Sequence, residues 1–311
     1  MSLLRKIRSA TPAKLVRKAL AKGWFNWAPD PLYLRLMYFG YMGGRILHLN
    51  HPRRYNEKLQ WMKIYDRRDI YTTMVDKADA KTYVAERIGD EYIIKTYGVW
   101  NAPEEIDYDS LPDKFVLKTT HDSGGIKIVD KREGFDKEEL NRFFRDRLSR
   151  NMYKITREWP YKNVKPRIIA EEYLEDAETQ ELRDYKFFCF DGVVRALFVA
   201  TDRQNPDKPT AFDFFDTDYN DLHIINGHPN ADVLPKKPAT FEKMKELAAI
   251  LSKGFPQLRV DFYEVNGKLY FGELTLFHHG GICPFEPDYW DYTFGEWYQI
   301  DKDAAKSIEK K

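Results

Sequence analysis

Leu258-Arg259-Val260-Asp261-Phe262-Tyr263-Glu264-Val265-Asn266-Gly267-Lys268-Leu269-Tyr270-Phe271-Gly272-Glu273-Leu274-Thr275-Leu276-Phe277 reads as a β-hairpin: two runs of β-branched and aromatic residues flank an Asn-Gly turn. Each arm carries one carboxylate, Asp261 and Glu273. A two-residue Asn266-Gly267 turn would pair Val265 with Lys268 and send those carboxylates to opposite faces. A three-residue loop over 265–267, with Gly267 left-handed as a bulge, pairs Glu264 with Lys268 instead. Asp261 then lies diagonal to Glu273 and Arg259 opposite it, while Val260, Phe262 and Leu274 gather on the other face as core. The apolar pattern favours the odd-length loop, which is the expectation. Side chains one diagonal apart are roughly 7 Å from each other, within the span of two carboxylates on one Mg²⁺. The competing reading is a wet sheet face with Arg259 and Asp261 as a surface ion pair.

The neighbouring segments follow the same pattern. DYKFFCF-DG-VVRALFVA (184–200) is a second hairpin around Asp191-Gly192. KFVLK (114–118) and GGIKIVD (124–130) read as strands around a glycine loop, and RIIAEEYLED (167–176) as a strand running into an acidic bend. Residues 136–150 and 240–255 read as helices, the second ending near Gly254. Residues 31–110 read mainly helical up to the β-rich YIIKTYGVW (92–100), and 101–113 as a connector. Adjacent strand pairs broken by single helices give an α+β class with antiparallel sheets. The expected division is a basic helical region (1–50), a mainly helical region (51–113) and a sheet-bearing region (114–311), the last split into 114–175 and 176–300.

The 311 residues, 43% of them hydrophobic, can bury a sizeable core. Lys plus Arg is 50 and Asp plus Glu 49, so no global field points to nucleic acid as a partner. Two cysteines, Cys189 and Cys283, make no disulfide framework and, with seven scattered histidines, no zinc spacing. The expected location is the cytoplasm. No apolar run approaches the roughly 20 residues of a membrane span. Residues 1–29 hold Arg5, Lys6, Arg8, Lys14, Arg17, Lys18 and Lys22, no acid, and interleaved leucines. Two readings stand: a basic amphipathic helix in peripheral contact with the inner face of the membrane, or a leader helix docked on the domain with its basic face in water.

Four further constellations could carry chemistry. Lys118-Thr119-Thr120-His121-Asp122-Ser123-Gly124-Gly125 ends a strand in a glycine loop whose N–H groups could approach a phosphate. It lacks the Gly-Lys-Ser/Thr ending of a P-loop, and an ordinary turn is the plain alternative. Glu171-Glu172-Tyr173-Leu174 places two acids at an apolar strand end, where burial would need a reason. Asp184 and Lys186 share one strand face, as a phosphate contact or a salt bridge. Asp216-Thr217-Asp218 is a D-x-D triplet, which could hold a nucleotide-sugar diphosphate through a metal or be a solvated turn.

Taken in order, these features resemble the ATP-grasp pattern, and the chain resembles the TupA-like ATP-grasp family of bacterial capsule and cell-wall polysaccharide synthesis. The matching text is YNEKLQWMKIYDRRD, DKADAKTYVAERIG, LPDKFVLKTTHDSGG, REWPYKNVKPRIIAEEYLED, DYKFFCFDG and LRVDFYEVNGKLYFGELT, over roughly residues 50–300. The resemblance implies two antiparallel-sheet subdomains gripping ATP. It implies nucleotide contacts at Lys77, Lys118, the flap His121, Asp122, Ser123, Gly124 and Gly125, the hinge Glu171, Glu172, Tyr173 and Leu174, and Asp184 and Lys186. It further implies catalytic roles for Lys118, Lys186 and Arg259, and Mg²⁺ ligands at Asp261, Glu273 and Thr275. Thr275 stands where the family pattern usually has Asn, and Phe277-His278-His279-Gly280-Gly281 replaces the usual small-residue turn. The implied activity is ATP-dependent ligation of a carboxylate to an amine, on a small molecule or glycan such as a uronic acid. A metal-dependent glycosyltransferase and a non-catalytic glycan-binding relative are the alternatives.

Overall fold

The computed structural model describes residues 11–300 apart from 180, 204 and 206. Arg5, Lys6 and Arg8 therefore lie outside the described residues. Two all-antiparallel sheets face one another. The first runs β1-β4-β2-β3, from β1 (Thr96–Trp100), β2 (Lys114–Thr119), β3 (Ile126–Asp130) and β4 (Ile168–Glu172). The second runs β7-β6-β5-β8-β9, from β5 (Asp184–Phe190), β6 (Val193–Thr201), β7 (Ala211–Phe215), β8 (Leu258–Val265) and β9 (Lys268–Thr275). The first sheet thus includes residues 96–100, upstream of the expected 114–175 span.

Alternation decides which face of the first sheet is core. Phe115, Leu117, Val129, Ile168 and Ala170 form one apolar face, which packs on Leu140 and Phe144 of the helix Lys137–Leu148. That helix is capped at its start by Asp136, which accepts from the Glu138 and Glu139 amides at 2.9 and 3.0 Å. Arg145 and Arg147 occupy its last turn, where cations complement the helix dipole. The opposite face of the sheet carries Lys118 and Glu171 and looks into the inter-sheet cleft.

The second sheet is covered on both sides, so every residue of β5 is buried. One side packs Phe187 on Phe241 of the helix Phe241–Ser252, ring centroids 5.9 Å apart. The other sets Phe188 against Tyr55, from the helix Tyr55–Tyr65, and Phe294, from the helix Tyr289–Trp297. Truncating such a buried phenylalanine costs about 3–5 kcal/mol.

The β8–β9 hairpin departs from the expected register. Its turn is the tight one: Val265 pairs with Lys268, and Asn266 and Gly267 are both left-handed at φ 52° and 75°. The expected three-residue loop is absent. A bulge in β9 beside Gly272 then shifts the pairing, from Phe262 with Phe271 to Asp261 with Glu273. Asp261 and Glu273 are therefore directly opposite one another on one face, not diagonal, and Thr275 rather than Glu273 faces Arg259. The turn and the bulge together achieve what the odd-length loop would have achieved alone. Val260 and Leu274 still pair on the opposite face, as core.

Gly272 sits where a Cβ would lie 3.0 Å from the Tyr263 ring and 3.1 Å from the Asp261 carbonyl oxygen. Gly272→Val should force the two strands apart at the carboxylate pair, at about 1–3 kcal/mol. The expected outcome is a melting midpoint several degrees lower and loss of nucleotide binding, read by circular dichroism and calorimetric titration. A variant with unchanged melting and binding would show that the bulge sets nothing.

Candidate active site

A cavity of about 320 Å³ lies between the sheets. The first sheet and its neighbours contribute Lys77, Lys118, Asp122, Ser123, Gly124, Gly125 and Glu171 to its lining; the second sheet contributes Tyr263 and Glu273, and the loop after β6 contributes Arg203. Met74, Val75, Ile126 and Leu274 give it apolar walls.

On the first sheet, Glu171 is buried, with Lys81 Nζ 2.5 Å from one carboxylate oxygen and Lys118 Nζ 2.6 Å from the other. Burial pushes the Glu171 pKa up, but the two ammonium groups outweigh it and hold the carboxyl at about 2. Lys81 also reaches the Ile94 carbonyl at 2.6 Å and the Thr96 hydroxyl at 2.9 Å, which ties the helix Asp79–Ile88 to the sheet. Glu172 alternates to the other face and is not part of the cavity wall. Tyr173 lies beneath Lys114, whose Nζ is 3.8 Å from the ring centroid, and neither Tyr173 nor Leu174 lines the cavity.

The flap is built as a frame with an open tip. The Thr119 hydroxyl donates to one Asp122 oxygen, and Arg147 pairs with the other at 2.6 Å while donating to the Ser123 carbonyl. Lys77 Nζ donates to the Asp122 carbonyl at 2.6 Å. A Cβ at Gly125 would fall inside the van der Waals radius of the Thr119 hydroxyl, so glycine is required there. The Asp122 carboxylate thus braces the loop instead of facing a nucleotide. His121 is buried behind it, its pKa lowered by burial. Ser123 and Gly124 are the exposed tip, with Gly124 at φ 82°.

On the second sheet, one row of directly paired residues runs Lys186–Asp261–Glu273 across β5, β8 and β9. Asp261 is fully buried. Arg259 grips it with two bonds of 2.8 Å, and Lys186 pairs with one of the same oxygens. Burial raises the Asp261 pKa, but Arg259 and Lys186 hold it below the ordinary value. Arg259 also donates to the Thr275 hydroxyl at 2.8 Å and lies 2.9 Å from His278 Nδ1. Because a guanidinium only donates, His278 accepts at Nδ1, and its Nε2–H donates to Asn226 Oδ1 at 2.8 Å. Burial keeps this imidazole neutral, well below its usual pKa. Lys186 is also 3.2 Å from Asp184, whose other oxygen pairs with Arg203.

The proposed metal set is only partly open. Glu273 lines the cavity and has no side-chain partner among the described residues. Asp261 is held by Arg259 and Lys186, and the Thr275 hydroxyl accepts from Arg259. Among the described residues no group of three or more His, Cys, Asp or Glu converges as a metal site. One open carboxylate on the wall of this cavity still suits Mg²⁺, which commonly takes one or two protein carboxylates and completes its shell with phosphate and water. Lys186, Arg259, Asp261 and Thr275 do not themselves line the cavity; in the β-ladder they flank its Glu273 wall.

Sequence reasoning did not find Lys81, Arg147 or Arg203. Lys81 lies on a helix of mixed charge and reads as a solvated lysine, and Arg147 reads as a helix-end cation. Gly272, by contrast, left a signal: a lone glycine inside a strand pattern marks a bulge. The loop Phe277–Gly281 is pinned from below, where Gln60 donates to the Gly280 and Gly281 carbonyls at 2.9 and 2.7 Å and Lys63 to Gly280 at 2.8 Å.

A search of curated proteins returned no match. Among solved structures, the chain is similar to D-alanine–D-alanine ligase from Bacillus anthracis, at 18% identity over 65% of this chain and 57% of that one, with a TM-score of 0.38. It is similar to D-alanine–D-alanine ligase from Helicobacter pylori at 13% identity over 79% and 69%, TM-score 0.45. It is also similar to L-amino acid ligase from Bacillus licheniformis at 11% identity over 80% and 56%, TM-score 0.45. The chain spans a little over half the length of the two Bacillus enzymes. The sequence profile of the TupA-like ATP-grasp family matches residues 57–299, a span that takes in both sheets and the cavity between them. The chain belongs to the TupA-like ATP-grasp family.

Proposed function

We propose that the protein is an ATP-dependent carboxylate–amine ligase that works through an acyl phosphate. The observation that carries this reading is the convergence of cations from two facing sheets on one cavity: Lys77 and Lys118 with the flap on one side, Arg203 with the Lys186–Arg259 pair behind Glu273 on the other. Such a field suits a triphosphate; Lys186 and Arg259 are buried, where a charge acts strongly, while Arg203 is about half exposed.

The residues then divide the work. Lys118 and the exposed tip Ser123-Gly124 bind phosphate oxygens from the flap side. Glu273 is the residue that would hold Mg²⁺, which supplies charge neutralisation on the phosphates. Lys186 and Arg259 stabilise charge that grows on the transferring phosphoryl group and on the acyl intermediate. A carboxylate oxygen of the substrate attacks the γ-phosphorus and ADP leaves. The amine then attacks the acyl carbon, and phosphate leaves with the original carboxylate oxygen. This route asks no residue to be a nucleophile. Cys189 is buried in the core with its thiol pKa pushed up to about 12, and His278 is held between Arg259 and Asn226. The flap frame keeps water from the acyl phosphate.

The finer reading, a uronic acid or related carboxylate in surface polysaccharide synthesis, rests on the family resemblance. Tyr161, Tyr263 and Phe271 are the aromatic lining of the cavity that such a sugar could meet. The glycosyltransferase alternative draws no support from its own residues. Asp216 caps a local turn, accepting from the Asp218 and Asn220 amides at 2.9 and 2.8 Å and from the Asn220 side chain at 2.9 Å. Asp218 is exposed, and neither acid lines the cavity.

Two outcomes test the assignment. Lys118→Ala leaves Glu171 paired with Lys81, and Lys186→Ala leaves Asp261 with Arg259 and Asp184 with Arg203, so both variants should fold. Each should lose ATP turnover by about a hundredfold or more, the scale of one removed electrostatic contact. ADP and phosphate release, measured with sugar acids and amines, decides this, and wild-type turnover in either variant would remove that lysine from the mechanism. Replacing Asp216 and Asp218 together by Ala should leave the same turnover unchanged. A complete loss in a folded double variant would restore the transferase reading.

A further inference from the structure

Outside the cavity, residues 11–46 show a surface the ligase reading does not use. Trp24 and Trp27 are 65% and 75% exposed, and Leu15, Leu32 and Ile46 lie open to solvent on the same stretch of chain. The helix Pro12–Ala21 and the turn after it carry Lys14, Arg17, Lys18 and Lys22, all exposed, and the first acid of the whole sequence is Asp30. Asp30 is itself engaged, with Arg67 at 3.2 Å and the Tyr153 hydroxyl at 2.8 Å.

The apolar side of Pro12–Ala21 is already used. Ala13 and Leu20 are buried, and Val16 packs on the cluster of Tyr33, Leu34, Met37 and Trp61. The helix therefore turns most of its apolar side inward, and Leu15 is its large apolar residue left exposed. What faces outward is its basic side and the turn that follows. Arg157 bonds the Asn26 carbonyl at 2.9 Å, which fixes the backbone of that turn while both indoles remain in solvent. Deleting residues 1–29 would remove Leu20 and Ala28 from the core, so point variants are the cleaner probe.

We infer that this surface docks on an anionic phospholipid membrane, with Trp24 and Trp27 seated at headgroup level and Lys14, Arg17, Lys18 and Lys22 against the lipid phosphates. Indoles favour that interface because one end is apolar and the N–H stays wet. Unopposed cations complement an anionic leaflet at about 1 kcal/mol each. A nucleic acid would use the cations but gives Leu15 and Ile46 nothing to cover them. No described helix is long and apolar enough to cross a membrane, so the contact is peripheral.

The test is co-sedimentation of the full chain with phosphatidylcholine vesicles, with and without phosphatidylglycerol, at low and high ionic strength. Binding is expected only with phosphatidylglycerol and should weaken with salt. Trp24→Ala with Trp27→Ala should weaken it at least tenfold with an unchanged melting curve. Lys14→Gln, Lys18→Gln and Lys22→Gln should each weaken it about fivefold, which keeps the inference testable should the tryptophan variant melt early. ATP turnover in solution should not change, because none of these residues lines the cavity. Failure of the intact protein to bind anionic vesicles would overturn the inference, as would binding that survives the tryptophan variant and all three lysine variants. Equal affinity for a soluble polyanion such as heparin would reassign the surface to polyanion binding.

Discussion

A carboxylate taken out of water must be answered by cations or it gives up its charge, and both sheets of this protein bury carboxylates that each carry two cations, Asp184 with Lys186 and Arg203 among them. Glu171 holds Lys81 and Lys118; Asp261 holds Arg259 and Lys186. Removing all partners from such a group costs about 3–5 kcal/mol, so each triad is locked in place as the sheet forms. The Glu171 triad carries one more positive than negative charge; on the second sheet Lys186, Arg259 and Arg203 stand against the buried Asp261 and Asp184, with Glu273 beside them. The fold thus sets cation-bearing clusters on facing sheets, beside a single cavity. That constraint fixes lysines with long flexible stems: the buried acid removes their rotamer freedom before any ligand arrives.

The rest of the structure keeps those triads in register. The β8–β9 bulge turns Glu273 to the Asp261 side of the sheet. Arg147, at the end of a capped helix, and Lys77 hold the flap so that only Ser123 and Gly124 project. The helix Tyr55–Tyr65 reaches under the loop after β9 through Gln60 and Lys63, and His278 in that loop steadies Arg259. The upstream helices are therefore more than a leader. They support the floor of the second sheet and, through residues 11–46, present a basic, indole-bearing surface to the outside.

Much of this was legible in the sequence because it depends on local periodicity. The two Asn-Gly and Asp-Gly hairpins, the glycine loop between β2 and β3, and the shared face of Asp184 and Lys186 follow from alternation and turn chemistry. The shared face of Asp261 and Glu273 was also legible, although by the wrong route. An odd-length loop and a tight turn plus a bulge give the same facing, and only the lone Gly272 distinguished them. What could not be read were contacts between distant segments. Lys81 meets Glu171 ninety residues on, and Arg203 meets Asp184 across a hairpin, and nothing in the composition of either segment announces its partner. The buried state of Asp261 was hidden for the same reason. Beside Arg259 it reads as a surface pair, yet it forms the most enclosed ion pair of the site, which leaves Glu273 as the open carboxylate.

The claim that both clusters serve one phosphoryl transfer is tested most directly by following an oxygen atom. With any carboxylate and amine that support ADP release, the carboxylate is labelled with ¹⁸O and the released phosphate is examined by mass spectrometry. Activation through an acyl phosphate moves one carboxylate oxygen into each phosphate formed, so labelled phosphate in step with amide is the predicted result. ADP and amide formed with unlabelled phosphate would contradict the account.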